Sequence, residues 1–344
     1  MVGESGVLRL DETLIEPDQP SSYAFFRAHA RTLIQTVRGQ CDRKQLPPIF
    51  FDWIQVPFIQ GFAKQYRDRF FIGVSNATYY LTSLLFNRML SFKAVFPMLG
   101  NSSLEVDPGL ILGWKANAYE MFHKGYVPVN PKCRTRAVYA SHLRFLAIEF
   151  LMLHELGHIA IGSTEMRNPS DKRSKYAIEF YCDRFAVVTQ LSDILQRCAD
   201  PTKIEPPEFR SFYADRVQAV FDWTFAISTL IRAWGDDSQP GTDLMRGEYP
   251  TWRSRQYNIT HCFLTILGHV NTSIQGDCEA AMKDAMNAVE GGFTIITCES
   301  ARTEGLERIM YDDGFDHFKE IAFHWRDHVR DRLQPFAYVT LPPY

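Results

Sequence analysis

Residues 154–158 read HELGH, two histidines four positions apart with a glutamate after the first. On a helix, positions i and i+4 differ by about 40° and lie one turn apart, so His154 and His158 would present both imidazoles on one face. Glu155 is rotated by about 100° from His154 and would stand aside as a base. That is the chemistry of the H-E-x-x-H pattern, in which two imidazoles hold a zinc ion and the carboxylate takes a proton from its water. A catalytic zinc needs a third protein ligand. A downstream histidine in the spacing H-E-x-x-H-x-x-G-x-x-H is absent, because Ile161 and Thr164 occupy those places. The next apolar segment supplies EFYCDRFA (179–186), where Glu179 and Asp183 are again i and i+4. Either carboxylate could reach the metal, with the other orienting a histidine N–H. Gly157 inside a helix costs about 1 kcal/mol relative to alanine, which predicts a close neighbour there.

These residues must be held by helices. Segment 136–161 is apolar on nearly every side and reads as a helix in the middle of a core. Segment 175–195 reads as the next helix, after a polar loop (162–174) with Pro169 and a Ser170 cap. Upstream, a helix is expected at 22–38. A strand pair is expected from 47–62 and 69–75 across the polar turn KQYRD, then a helix at 76–96 capped by Ser75 or Asn76. Residues 97–135 read as an irregular connection with a short helix near 114–123. Helices are expected at 208–234, 251–272, 277–290 and 304–333. The fold class is mainly α (α+β), one domain over 1–344. Its parts are an N-terminal β element at 47–75, the metal helices at 136–161 and 175–195, and a helical part at 208–333.

Composition narrows the function. Of 344 residues, 46% are hydrophobic and 22% charged, with a net charge of −3 and no Lys/Arg cluster, so neither nucleic acid nor an anionic membrane is expected as partner. The greasiest run, FLAIEFLMLHELGHIAIG, is broken by Glu149 and the histidines and is too polar for a membrane span. Seven scattered cysteines without a CxxC predict no disulfide framework and no thiolate zinc site. With an N-terminus that lacks a basic start and an apolar run, this predicts a cytoplasmic protein. Outside secretion the four N-x-[ST] sites carry no meaning. Neither a P-loop nor a G-x-S-x-G elbow occurs.

HELGH followed by E-x-x-x-D-x-F-A resembles the gluzincin-type metallopeptidases, including the HtpX-like and ImmA-like branches. The resemblance implies a zincin-like helical core, Glu179 as third zinc ligand and Asp183 behind the ligands. Cys182 stands where those families carry alanine and reads as packing. GEYPTWRSRQYNI (247–259) is similar to the Y-P-x-x-x-x-R-x-x-x-I segment of the Lit phage-exclusion peptidases. Tyr249 and Pro250 head it, and Arg255 fills the arginine place. That implies Arg255 near the site, pairing with Asp183 or stabilising a developing oxyanion. It further implies cleavage of a protein or peptide substrate and a role in defence against phage.

The expected function is therefore a zinc-dependent endopeptidase with Glu155 as general base. One alternative is a non-enzymatic metal-site regulator on the same fold. Another is a peptidase held inactive until an activating peptide or protein triggers it. Of the remaining polar residues, His142 reads as a helix-face histidine, and Arg144 and Glu149 as paired charges. His261 is a candidate transition-state stabiliser, His269 shares its helix, and His317, His324 and His328 form a loose C-terminal set.

Overall fold

The computed structural model describes residues 20–166, 171–234, 252–270, 274–299 and 314–342. The described residues are mainly helical with one small sheet. Helix α1 (Pro20–Gln40) leads to strands β1 (Ile49–Ile54), β2 (Gly61–Tyr66) and β3 (Arg69–Ser75). Helices α2 (Asn76–Ser91), α3 (Ala118–His123), α4 (Arg134–Ala160) and α5 (Lys172–Ala199) follow. A 3₁₀ segment (Pro207–Tyr213) precedes α6 (Arg216–Trp234), α7 (Trp252–Val270) and α8 (Gln275–Thr297). The chain closes with α9 (Gly314–His324), a π turn (Trp325–Val329) and α10 (Arg330–Leu333).

The sheet order is β1-β3-β2, and this corrects the expected strand pair. The β1 strand runs parallel to β3, with Trp53 opposite Val74, while β2 and β3 form an antiparallel hairpin. Lys64, Gln65 and Tyr66, expected in a turn, belong to β2. The turn is Arg67–Asp68, with Arg67 at φ 55°. The single run 47–62 is split because Pro57 has no N–H to give a ladder.

Helix α2 ends at Ser91 rather than near 96. The buried Arg136 on α4 supplies the reason. Its guanidinium donates to the carbonyls of Leu90, Phe92, Val95, Phe96 and Leu99, which draws that stretch into a coil around one cation. At the other end, the Ser75 hydroxyl accepts from the Thr78 N–H at 3.1 Å, an N-cap worth about 1 kcal/mol. The α6 helix begins at Arg216, later than expected, because Pro206 and Pro207 start the 3₁₀ segment instead. Asp171, not Ser170, caps α5 through the Ser174 N–H. Pro169, Ser170, Tyr249, Pro250 and the start of the helix expected at 304 lie outside the described residues.

The α4 helix is buried along most of its length. It packs against α1, α2, α5, α6 and the β2–β3 hairpin, as its all-round apolar sequence requires. The outer face of α5 forms a second cluster with the C-terminal segment, where Tyr181 and Trp325 stack with centroids 3.6 Å apart. All seven cysteines are free. Among the described residues, no helix is long and apolar enough to cross a membrane.

Candidate metal centre

Three side chains from α4 and α5 converge. Nitrogens of His154 and His158 and a carboxylate oxygen of Glu179 lie within 4.8 Å of one another. Nε2 of His154 is 3.2 Å from Glu179 Oε2, and Nε2 of His158 is 3.6 Å from Glu179 Oε1. The other nitrogen of each imidazole is already held. His154 Nδ1 is 2.8 Å from Asp183 Oδ1, and His158 Nδ1 is 2.9 Å from the Ser163 hydroxyl, which itself donates to the His158 carbonyl. Both Nδ1 atoms are thus taken up by partners outside the cluster, which turns both Nε2 atoms toward Glu179, as a metal-binding pair of imidazoles requires.

Local sequence explains the geometry. At Gly157 a Cβ would lie 3.2 Å from the Cα of Cys182 and 3.3 Å from the Cβ of Phe185, so the glycine lets α5 approach α4 at the level of the cluster. Cys182 is fully buried at that contact, and burial raises its thiol pKa well above normal, which suits packing rather than ligation. Gly162, at φ 77°, turns the chain at the end of α4 and presses against the backbone of Phe336. The turn brings Ser163 back under His158. Sequence reasoning passed over Ser163, although a glycine–serine pair just after a histidine-bearing helix is a turn signal.

Behind the cluster stands Arg255 on α7. Its Nε donates to Asp183 Oδ2 at 3.0 Å, and Nη2 donates to Asp183 Oδ1 as well. The pairing expected of Arg255 with Asp183 is thus present, and both residues are buried. The ring of Trp234 lies 4.6 Å from the guanidinium, a partner the sequence did not flag. The carboxylate of Glu155 lies over Gly61, the first residue of β2. A Cβ there would come within 2.6 Å of Oε1. A glycine inside a strand signals such a close approach, and this one was not used.

Three carboxylates (Glu155, Glu179 and Asp183) crowd one guanidinium, and the proton affinities answer this excess of acidic groups. A metal cation held by the two Nε2 atoms and Glu179 would take the place of the proton on His154. Burial pushes Glu155 up to about 7, with the neighbouring Glu179 adding to the rise. Burial would lower His154, yet its hydrogen bonds to Asp183 and Glu179 raise it to about 9. Burial holds His158 neutral, down to about 4. Glu179 lies at about 2, because the two histidines outweigh the effect of burial. Arg255 similarly outweighs burial at Asp183 and keeps its carboxylate ionised. A neutral imidazole (His158), a second imidazole (His154) whose Nε2 would exchange its proton for the metal, and one ionised carboxylate, with no fourth protein ligand among the described residues, form a donor set that fits zinc in an open site.

The other candidates go elsewhere. His142 sits in a nest of Phe209, Phe212 and Tyr213, with Nε2 3.8 Å from Asp222. Glu149 and Arg144 do not pair with each other: Glu149 takes Arg197 and His29 at 2.8 and 2.6 Å, and Arg144 takes two serine hydroxyls. The ring of His261 packs against Tyr257 and Phe318. His324 meets Ser174 and Asp171 and lies beside His328. The side chains of His269 and His317 lie outside those described.

No curated protein matches the chain, and no solved structure does. The family model Peptidase U49 matches residues 123–243, the stretch that contains α4, α5 and α6. It includes His154, Glu155, His158, Glu179 and Asp183 and stops before Arg255. The chain is similar to Peptidase U49 over the helices that build the cluster, and that match supports a peptidase.

Proposed function

We propose that the protein is a zinc-dependent endopeptidase of gluzincin type, with His154, His158 and Glu179 as ligands and Glu155 as general base. One observation carries the reading: two imidazoles turn their Nε2 atoms to one carboxylate while Asp183 and Ser163 hold their Nδ1 atoms. A zinc ion in such a site lowers the pKa of a water to about 7 and polarises a carbonyl. Glu155 would take a proton from the attacking water and return it to the leaving amine. Its lodging against Gly61 keeps it beside the ligands without joining them. Asp183, neutralised by Arg255, fixes the tautomer and aim of His154. Arg255 is thus a positioning residue acting through Asp183.

The substrate is a protein or peptide. Among the described residues β2 pairs only with β3, and its outer edge can take an extended segment as an added strand beside Glu155. The reading takes the chain as one catalytic domain. The role in phage defence follows from the resemblance to the Lit peptidases. The non-enzymatic alternative is disfavoured by Glu155, because a structural zinc needs no base. Glu155→Gln tests the reading. Proteolysis of a denatured protein substrate should fall by at least about 10²-fold with zinc still bound, and full cleavage by that variant would refute the mechanism.

A further inference from the structure

Helices α1 and α4 and the 3₁₀ segment Pro207–Tyr213 leave a cavity of about 350 Å³ between them. That is the size of a small-ligand site. The rings of Phe25, Phe26, Phe145 and Phe209 line it. Its polar side carries Arg144 and Arg134. The Arg144 guanidinium donates to the Ser83 hydroxyl at 2.8 Å and to the Ser141 hydroxyl at 3.3 Å, and it lies 4.6 Å from the Tyr79 ring. Its Nε is buried with no acceptor among the described residues. Hydroxyls and a ring satisfy donors without cancelling charge. Four other interior or half-buried arginines meet carboxylates: Arg136 meets Glu105, Arg197 meets Glu149, Arg232 meets Glu290 and Arg255 meets Asp183. Buried Arg88 instead meets the carbonyls of Pro108 and Gly109, and it lines no part of this cavity. Among the described residues, no carboxylate forms an ion pair with Arg144 or Arg134. Glu208, also on the lining, is exposed.

We infer that this cavity binds an organic anion, a carboxylate or phosphate monoester on an apolar, ring-sized body. The anionic head would meet Arg144 and Arg134, and the body would lie among the four phenyl rings. A charged acceptor on a guanidinium is about twice as strong as a neutral one, so the head group should dominate selectivity. The site is separate from the metal cluster: Arg144 and His154 are ten residues apart on α4, about 15 Å along the axis. It does not depend on the peptidase reading.

The test is calorimetric titration of the full chain with 3-phenylpropionate, phenyl phosphate and the neutral 3-phenylpropanamide. At least one anion should bind about tenfold more tightly than the amide. The order of the two anions identifies the preferred head group. Arg144→Gln should erase the preference over the amide. Because Arg144 also braces Ser83, Val138→Trp provides an independent variant. Val138 is a half-buried wall residue, and the larger side chain should fill the cavity and abolish binding of all three compounds with the helical content retained. Equal binding of amide and anions, unchanged binding to Val138→Trp, or no binding of any probe would overturn the assignment.

Discussion

Gly157→Ala sets two effects against each other at the centre of the site. Alanine in a helix interior is favoured over glycine by about 1 kcal/mol. At position 157 the new methyl would sit 3.2 Å from the Cα of Cys182 and 3.3 Å from the Cβ and Cδ1 of Phe185. Backbone cannot swing aside as a side-chain tip can, so α5 must shift by a few tenths of an ångström. Overpacking of this kind costs about 1–3 kcal/mol, which cancels or exceeds the propensity gain. Gly291 is the control, an exposed glycine inside α8 with nothing within 4 Å of its would-be Cβ. Gly291→Ala should gain about 0.5–1 kcal/mol in urea unfolding. Gly157→Ala should gain nothing or lose up to about 2 kcal/mol. The proposed zinc site should feel the shift more. Ligand distances tolerate about 0.2 Å, and α4 would carry two ligands while α5 would carry the third, so affinity by chelator competition should fall about tenfold. If Gly157→Ala were stabilised as much as Gly291→Ala with zinc affinity unchanged, the close contact would not set the ligand geometry.

Three further outcomes follow from the same contacts. Asp183→Asn keeps one oxygen for His154 but turns an amide donor toward the guanidinium. Zinc affinity should fall about 10–100-fold and the metal-free protein should lose about 3–5 kcal/mol, read by chelator competition and denaturant unfolding. Gly61→Ala drives a methyl into the Glu155 carboxylate and should cut proteolysis while the bound zinc, counted by mass spectrometry, stays at wild-type level. Glu149, held at about 2 because Arg197, His29 and Gln190 outweigh its burial, contributes stability fully above its unfolded value of 4.5. That stability is lost as pH falls from about 4.5 toward 2. In the metal-free protein, Glu149→Gln should flatten this acid limb of the unfolding midpoint, and an unchanged pH profile would refute the assignment.

The convergence of His154, His158 and Glu179 was legible because the spacing is helical. His154 and His158 share a face by periodicity alone, and Glu179 and Asp183 do the same one helix later. The division of labour between Glu179 and Asp183 was not fixed by spacing, since both occupy equivalent places. The fold separates them, turning Glu179 toward both Nε2 atoms and Asp183 toward Nδ1 and Arg255. Contacts made across the fold left weaker traces. The parallel pairing of β1 with β3 depends on a crossover that no local pattern encodes. The polar residues Lys64 and Gln65 of edge strand β2 look like a turn because both are exposed, on opposite faces of the strand, so no apolar–polar alternation marks them. The early end of α2 is imposed by Arg136, 45 residues beyond Ser91. Ser163 and Gly61 act through the backbone's path and carry no motif of their own.

The central claim is that His154, His158 and Glu179 together bind one zinc ion. Its most direct measurement is the zinc content of the purified chain beside single alanine variants of these residues and Glu155→Gln. The account predicts one zinc per chain in the wild type and in Glu155→Gln, and substoichiometric zinc in His154→Ala, His158→Ala and Glu179→Ala. Zinc-free wild type after purification without chelators, or full zinc in the Glu179 variant, would contradict it.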